Sequence, residues 1–349
     1  MSLQINPLRE KHLEDAAALV SVRYRALRER VPVLPSRYED VDTILPMLYD
    51  LAGKAPGVVA IRGSRLVGFM LGFVIPTFLG KRSMYSPEWA NGAELGESQR
   101  VYEEMYGYLS TQWVANGCFT HLVSMLGHDG EGIEGWQWLG FGFAAVDGVR
   151  ELRPVEGAAA EVKVRRAGEE DIEEAAAFGE ALARHLATAP TFWIHELEDL
   201  GEWLKGPANA LWLAYDGEEA VGCMGLGPAN PDACAIIQDE KTASIESAFT
   251  REGARGRGVA TALLNRSLEW ARVEGYERCA VDFEPMNFLA ARFWMRWFEP
   301  VCYSLMRCID KRLGRAHEGQ GGESSVIDSM PPNIGLHPTP PAAWVKPRP

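Results

Sequence analysis

The chain repeats itself at a spacing near 155 residues, and this repeat constrains its fold more than any other feature. Leu8-Arg9, then Asp15 and a helical run, recur as Val164-Arg165, then Asp171 and a helical run, with the aspartates 156 residues apart. Val58-Val59-Ala60-Ile61, Gly63 and Val67-Gly68 recur as Trp212-Leu213-Ala214-Tyr215, Gly217 and Val221-Gly222, with Gly68 and Gly222 offset by 154. Each is a pair of strands joined by a short polar turn containing glycine, the signature of a hairpin. A helical run from Glu97 to Asn116 stops at Gly117 before Phe119 to Val123, and another stops at Gly275 before Cys279 to Val281, 158 residues on. A glycine just past a helix end is the expected left-handed cap. So small a drift in offset predicts an internal duplication. The boundary is expected between Pro154 and Glu161, with units at 1–155 and 161–313.

Each half alternates as strand, helix pair, hairpin, strand, helix, strand, helix, strand. That order predicts a mixed α/β (α+β) sheet domain with helices against the sheet. From Gly314 to Pro349 the chain turns rich in Gly, Ser and Pro with no apolar periodicity, and a disordered tail is expected. The formal net charge of −13 argues against nucleic acid or an anionic membrane as partner. Met1 to Glu14 is polar, unlike a signal peptide, and the apolar run Val67 to Gly80 is short and broken by Pro76. A cytoplasmic protein is expected. The six cysteines form no Cys-x-x-Cys pair and have no accompanying histidine cluster. They read as small buried hydrophobes, with no metal site expected.

The chemistry concentrates in Arg255-Gly256-Arg257-Gly258-Val259-Ala260, between a β-like segment, Ile245 to Thr250, and a helical segment from Thr261 to Glu274. A glycine-rich turn that opens a helix gathers backbone N–H groups with no partner of their own at the positive end of the helix dipole. Such a turn suits phosphate oxygens. It is no P-loop, because no lysine follows Gly258. It is no Rossmann fingerprint, because Thr261 stands where a third glycine belongs.

Arg255, Gly258 and Ala260 do fit the Gln/Arg-x-x-Gly-x-Gly/Ala turn of the GCN5-related N-acetyltransferase (GNAT) superfamily, and Thr261-Ala262-Leu263-Leu264 continues as that family does. The second half therefore resembles a GNAT domain, and the whole chain resembles a tandem GNAT protein. The resemblance implies two tandem domains, each a mixed, mostly antiparallel sheet flanked by helices. It implies acetyl-CoA as co-substrate, with its diphosphate on Arg255, Gly256, Arg257, Gly258, Val259, Ala260 and Thr261. The backbone of Phe249 and Thr250 would then hold the pantetheine. Asn287, Ala290 and Trp294 occupy the family's second signature, an Asn, an Ala three later and often a Tyr seven later. Asn287 would contact the coenzyme arm. Trp294 replaces the tyrosine that often protonates the departing thiolate, and an indole N–H is not acidic enough for that task. Phe298-Glu299 stands in place of the family's Gly-Phe.

The first half keeps Gly140-Phe141, but its offset places Asp129 opposite Asn287 and Trp136 opposite Trp294. It has no Arg-x-x-Gly-x-Gly/Ala turn, and Glu88 and Glu94 stand where a diphosphate would want donors. A working coenzyme site is expected in the second half alone.

Acyl transfer from a thioester to an amine needs a base for the ammonium and a route out for the thiolate. By the resemblance, Glu246, on the strand before the turn, is the first candidate base. Asp282 and Glu284 follow the next strand, and Tyr303 on the last strand is a candidate proton donor. His185, His195, Trp193, Trp203 and Trp212 are candidates for the acceptor side, while His121 and His128 belong to the first half. The resulting expectation is an N-acetyltransferase acting on a small-molecule or peptide amine. A non-catalytic acyl-CoA-binding protein and a mycothiol-synthase-like tandem acyltransferase stay open beside it.

Overall fold

The computed structural model describes residues 2–157, 161–194 and 199–313. The tail from Gly314 and His195 lie outside the described residues. The first half runs β1 (Leu3–Pro7), α1 (Leu13–Arg30), α2 (Val41–Ala52), β2 (Gly57–Arg62), β3 (Arg65–Leu71), β4 (Phe73–Phe78), β5 (Lys81–Ser86), β6 (Asn91–Ala93), α3 (Ser98–Ala115), β7 (Thr120–Leu126), α4 (Gly130–Trp138) and β8 (Gly142–Glu151). The second runs β9 (Lys163–Arg166), α5 (Ile172–Leu186), α6 (Leu200–Leu204), β10 (Ala210–Asp216), β11 (Glu219–Pro228), β12 (Thr242–Thr250), α7 (Val259–Val273), β13 (Arg278–Phe283), α8 (Phe288–Trp297) and β14 (Glu299–Cys308). The mixed α/β class is as the sequence predicts. The helix after the glycine-rich turn begins at Val259, two residues earlier than its apolar pattern suggests, because Gly258 supplies its N-cap in the left-handed conformation.

The strands form a four-stranded sheet, β1-β2-β3-β6, and a ten-stranded sheet, β4-β5-β7-β14-β8-β13-β12-β11-β10-β9. The middle of the long sheet interleaves the halves. β14, the last strand among the described residues, lies between β7 and β8, while β8 of the first half lies between β14 and β13. Each half thus lends one strand to the other's sheet.

Helices cover both faces. On one face α1 and α2 pack with the Cys234–Ile237 turn over Leu126, Val149, Ala280 and Cys302, and α5 packs over Leu211, Leu213 and Cys223. On the other, α7 and α8 cover Ile245, Cys279, Val281 and Phe283, and α3 and α4 cover Val123, Met125 and Leu305. The side-chain alternation along β13 decides which groups meet which face. Cys279, Val281 and Phe283 point to α7, and Ala280 points to α1 and α2.

Candidate functional site

The glycine-rich turn keeps the conformation its residues allow. Gly256 and Gly258 sit at φ 73° and 87°, where a side chain is strained. The first N–H groups of α7 have no acceptor within the helix. Ala262 is the first to bond back, to the Gly258 carbonyl at 3.0 Å. Arg255 ties the turn to its strand: its Nε donates to the Thr250 carbonyl at 3.0 Å, and its guanidinium lies 5.6 Å from the Phe249 ring centroid. Arg257 pairs with Asp216 of the β10–β11 hairpin at 2.8 Å, so part of its charge is answered on the surface.

Beside the turn the sheet opens. β12 and β13 pair in parallel from Thr242↔Arg278 to Ile245↔Val281 and no further. On the other side β12 stays with β11, but the register jumps from Leu226↔Ile245 to Gly225↔Ser247. Glu246 is the residue skipped in this bulge. An extra residue reverses the side-chain parity of the strand and bends it. Ile245 and then Ala248 face α7, while Phe249 faces α5 beside Phe178 and His185. Beyond Ile245 the edge of β12 that would meet β13 has no strand beside it among the described residues. Its peptide groups can therefore hold an extended amide-bearing chain as an added strand would.

The opening is a cavity of about 550 Å³. Ala248, Phe249 and Thr250, the turn from Arg255 to Thr261, and Asn287 all line it, so the structure brings together every residue read as coenzyme-binding. Sequence reasoning missed most of the opposite wall, Leu182, Phe293 and Trp297, because these read as ordinary helix residues. It named His185 without seeing its contact. His185 Nε2 lies 3.3 Å from Asn287 Oδ1, and since an amide oxygen only accepts, the imidazole donates. Trp294 lines the same wall, 5% exposed and edge-on to Phe293 and Phe298.

Glu246, Asp282 and Tyr303 are not among the cavity-lining residues. Glu246 and Asp282 stand at the fork itself, each one residue past the last β12–β13 pair, the first half-buried and the second exposed. Glu284 follows at the end of β13. Tyr303 lies on β14, separated from β13 by β8 and tilted against Phe143. Burial raises its hydroxyl pKa, with Glu299 adding to the effect. Trp193 meets Phe78 of the first half at 6.2 Å, Trp203 packs against Gly225, and Trp212 sits half-buried on β10. His121 and His128 lie on or beside β7.

The corresponding place in the first half is filled by protein. Asp129 caps α4 as Asn287 precedes α8, but its carboxylate accepts from Arg23 Nη2 at 2.8 Å, Ser98 Oγ at 2.7 Å and the Gly132 N–H at 2.9 Å. Arg23 also donates to the Ala93 carbonyl. Its place in α1 corresponds to Leu182 in α5, counting from the start of each helix. A buried ion pair, 3% and 1% exposed, thus bridges α1, β6, α3 and α4 where the second half keeps a cleft.

The sequence matches the acetyltransferase (GNAT) family over residues 180–298. It is 30% identical over 105 residues to the uncharacterized N-acetyltransferase YsnE of Bacillus subtilis (strain 168), a match covering 28% of this chain. The chain spans 64% of that relative's length, a little under two thirds. A solved GCN5-related N-acetyltransferase from Sphaerobacter thermophilus is 14% identical, with a TM-score of 0.49 over 88% of this chain and 95% of that one. A tandem GNAT protein from the clavulanic acid biosynthesis pathway is 13% identical, with a TM-score of 0.42 over 88% of this chain and 98% of that one. The family match falls within the second half. Among the described residues, no helix is long and apolar enough to cross a membrane.

Proposed function

We propose that the second half transfers an acetyl group from acetyl-CoA to the amine of a small molecule or peptide, and that the first half binds no coenzyme. The observation that carries this reading is the junction of an open strand edge, Ala248 to Thr250, with a helix N-terminus capped by a left-handed glycine. The first suits the two amides of a pantetheine arm, and the second suits a diphosphate. The spacing along one wall orders them. The diphosphate rests on the N–H groups from Gly258 to Thr261, the arm runs back along β12, and the thioester reaches the fork. The units proposed are 1–155, without a coenzyme site, and 161–313, which carries the transfer.

At the fork the amine nitrogen attacks the thioester carbonyl carbon, the carbon–sulfur bond breaks, and the ammonium proton passes to a carboxylate. We assign Glu246 as that base, directly or through one water, with Asp282 beside it to hold the cationic amine. The bulge matters here because it places the Glu246 backbone out of register at the point where the strands part. Trp294 supplies an apolar wall and no proton, so the departing thiolate takes its proton from solvent or from the protonated nitrogen of the tetrahedral adduct.

The test is steady-state release of CoA with acetyl-CoA and a panel of primary amines. Glu246→Gln is expected to lower kcat by about 10²–10⁴-fold while coenzyme binding stays within about twofold. Turnover with no amine in the panel, despite tight acetyl-CoA binding, would favour the binding-only reading. Full activity in Glu246→Gln would remove the base assignment.

A further inference from the structure

On the face of the sheet away from α7, three buried side chains meet where the two halves interleave, with a fourth, Glu88, near enough to act on their charge. Asp147 on β8 stands opposite Cys302 on β14, and Cys234 heads the turn between β11 and β12 that lies over them. A carboxylate oxygen of Asp147 and the two sulfurs all lie within 4.8 Å of one another. Glu88, from the loop between β5 and β6, completes the group. Its charge acts on both thiols and on Asp147. Exposures are 2% for Glu88, 4% for Asp147, 6% for Cys234 and 0% for Cys302.

We propose that Glu88, Asp147, Cys234 and Cys302 form a buried site for one divalent transition-metal ion of the zinc type, with two ligands from each half. Two thiolates and two carboxylates are a donor set that zinc accepts in tetrahedral geometry. With metal–sulfur and metal–oxygen distances of about 2.3 and 2.1 Å, ligand atoms in a tetrahedron sit about 3.5–3.8 Å apart. Among Asp147, Cys234 and Cys302 the observed spacing needs a contraction of about 1.0–1.3 Å at most, and Glu88 closes on them as the fourth ligand.

Three independent observations point to a cation. The Glu88 Oε2 atom is buried with no hydrogen-bond partner, a position that is costly for a carboxylate. Glu88 and Asp147 face backbone N–H groups, Asp282, the two cysteines, Tyr38 and Tyr85, and among the described residues neither carboxylate is paired with an arginine, lysine or histidine. The other buried acid at the corresponding depth of the first half, Asp129, does have its arginine. Finally, both carboxylates are already oriented. The Cys234 N–H donates to Asp147 Oδ1 at 3.0 Å, and the Ile236 N–H donates to Glu88 Oε1 at 3.1 Å. Glu88 keeps its second oxygen for the ion, and the Asp147 carboxylate also bonds the Cys234 thiol, a fellow ligand, an arrangement typical of supported metal ligands.

Without a cation, burial, followed by Asp282, pushes the Asp147 carboxyl up to about 8, and burial pushes the Cys302 thiol up to about 12. A metal would displace these protons and halve the charge of the four deprotonated ligands, from −4 to −2. It would also cross-link the halves, since Glu88 and Asp147 belong to the first, and Cys234 and Cys302 to the second.

The experiment uses the full chain, incubated with Zn²⁺ or Co²⁺ under reducing conditions and desalted. Metal content and the cobalt absorption spectrum are then measured. We expect one ion per chain, a thiolate-to-cobalt charge-transfer band, and a rise in Tm over the chelator-treated protein. Glu88→Gln should weaken binding by at least about tenfold, and the Cys234→Ser/Cys302→Ser variant should lose the band. Cys118→Ser, in the first-half core, should keep it. A wild-type chain that retains no ion overturns the proposal, as does a bound ion without the thiolate band. Thiol titration of the unfolded chain guards the reading: a count two short of the six free cysteines, showing a Cys234–Cys302 disulfide, also overturns it. None of these readouts depends on acyl transfer.

Discussion

Gly258 and Gly275 stand at opposite ends of α7, and both have a φ of 87°. Replacing either with alanine forces a side chain into the left-handed region at about 1–2 kcal/mol. At Gly275 an added Cβ meets nothing within 4 Å, so strain is the whole effect there. The two alanine variants should therefore lose similar stability, about 2–4 °C in Tm for each kcal/mol. They should differ in coenzyme binding, because only Gly258 lies where a diphosphate would rest. The contrast sharpens with Gly258→Glu. A carboxylate about 4 Å from a phosphate charge is repelled by about 1 kcal/mol in bulk water and about 4 kcal/mol near a protein surface. Those energies weaken Kd by about fivefold to a thousandfold. Titration of CoA followed by the fluorescence of Trp294 and Trp297, which line the cleft, or by calorimetry, measures this directly. Equal affinity in Gly258→Glu and Gly275→Ala would refute the diphosphate cradle, whatever happens to their stability.

Two further outcomes follow from the first half. His121 is fully buried, with Nδ1 2.8 Å from the Tyr106 hydroxyl and Nε2 donating to the Cys118 carbonyl at 3.0 Å. Burial lowers its pKa to about 4 from 6.5. The folded value lies below the unfolded one, so its stabilisation is present above pH 6.5 and is lost as pH falls towards 4, about 3 kcal/mol in all. Denaturation of wild type and His121→Gln across that range should converge at the acid end, and parallel curves would refute the assignment. Asp129→Ala leaves Arg23 buried without its counterion and removes three hydrogen bonds. A loss of about 3–5 kcal/mol is expected in urea unfolding, largely recovered when Arg23→Met is added, and a loss below about 1 kcal/mol would show that the pair is not needed to close the first-half cleft.

Periodic features were open to reading from residues alone. The hairpins, the helix-capping glycines and the turn at Arg255 are local, set by neighbours a few positions apart, so their spacing is visible in the chain. The cavity wall opposite β12 was not, since Leu182 and Phe293 acquire meaning only when α5 and α8 face each other. The plug in the first half was half visible. Asp129 could be placed opposite Asn287 by offset, but Arg23 is 106 residues away and carries no motif. The four-residue cluster had no trace at all, because positions 88, 147, 234 and 302 lie on separate elements and a reading based on cysteine spacing expected no metal. Glu88 illustrates the point. In the sequence it reads as an acid where a phosphate site would want donors, and the structure shows it turned into the sheet interior against the Ile236 N–H.

The placing of β14 between β7 and β8 has a consequence for how the protein is made. A ribosome releases β7 and β8 long before residue 299, so the first half waits with a gap in its sheet until the last strand of the second half arrives. β8, meanwhile, must accept β13 on one side and β14 on the other. The first unit therefore cannot reach its final pairing during synthesis of its own residues, and its closure is a late, long-range and slow step. Until then the facing edges of β7 and β8 are unpaired, the kind of surface that makes a folding intermediate prone to aggregate, and an array of independently closing domains has no such interval.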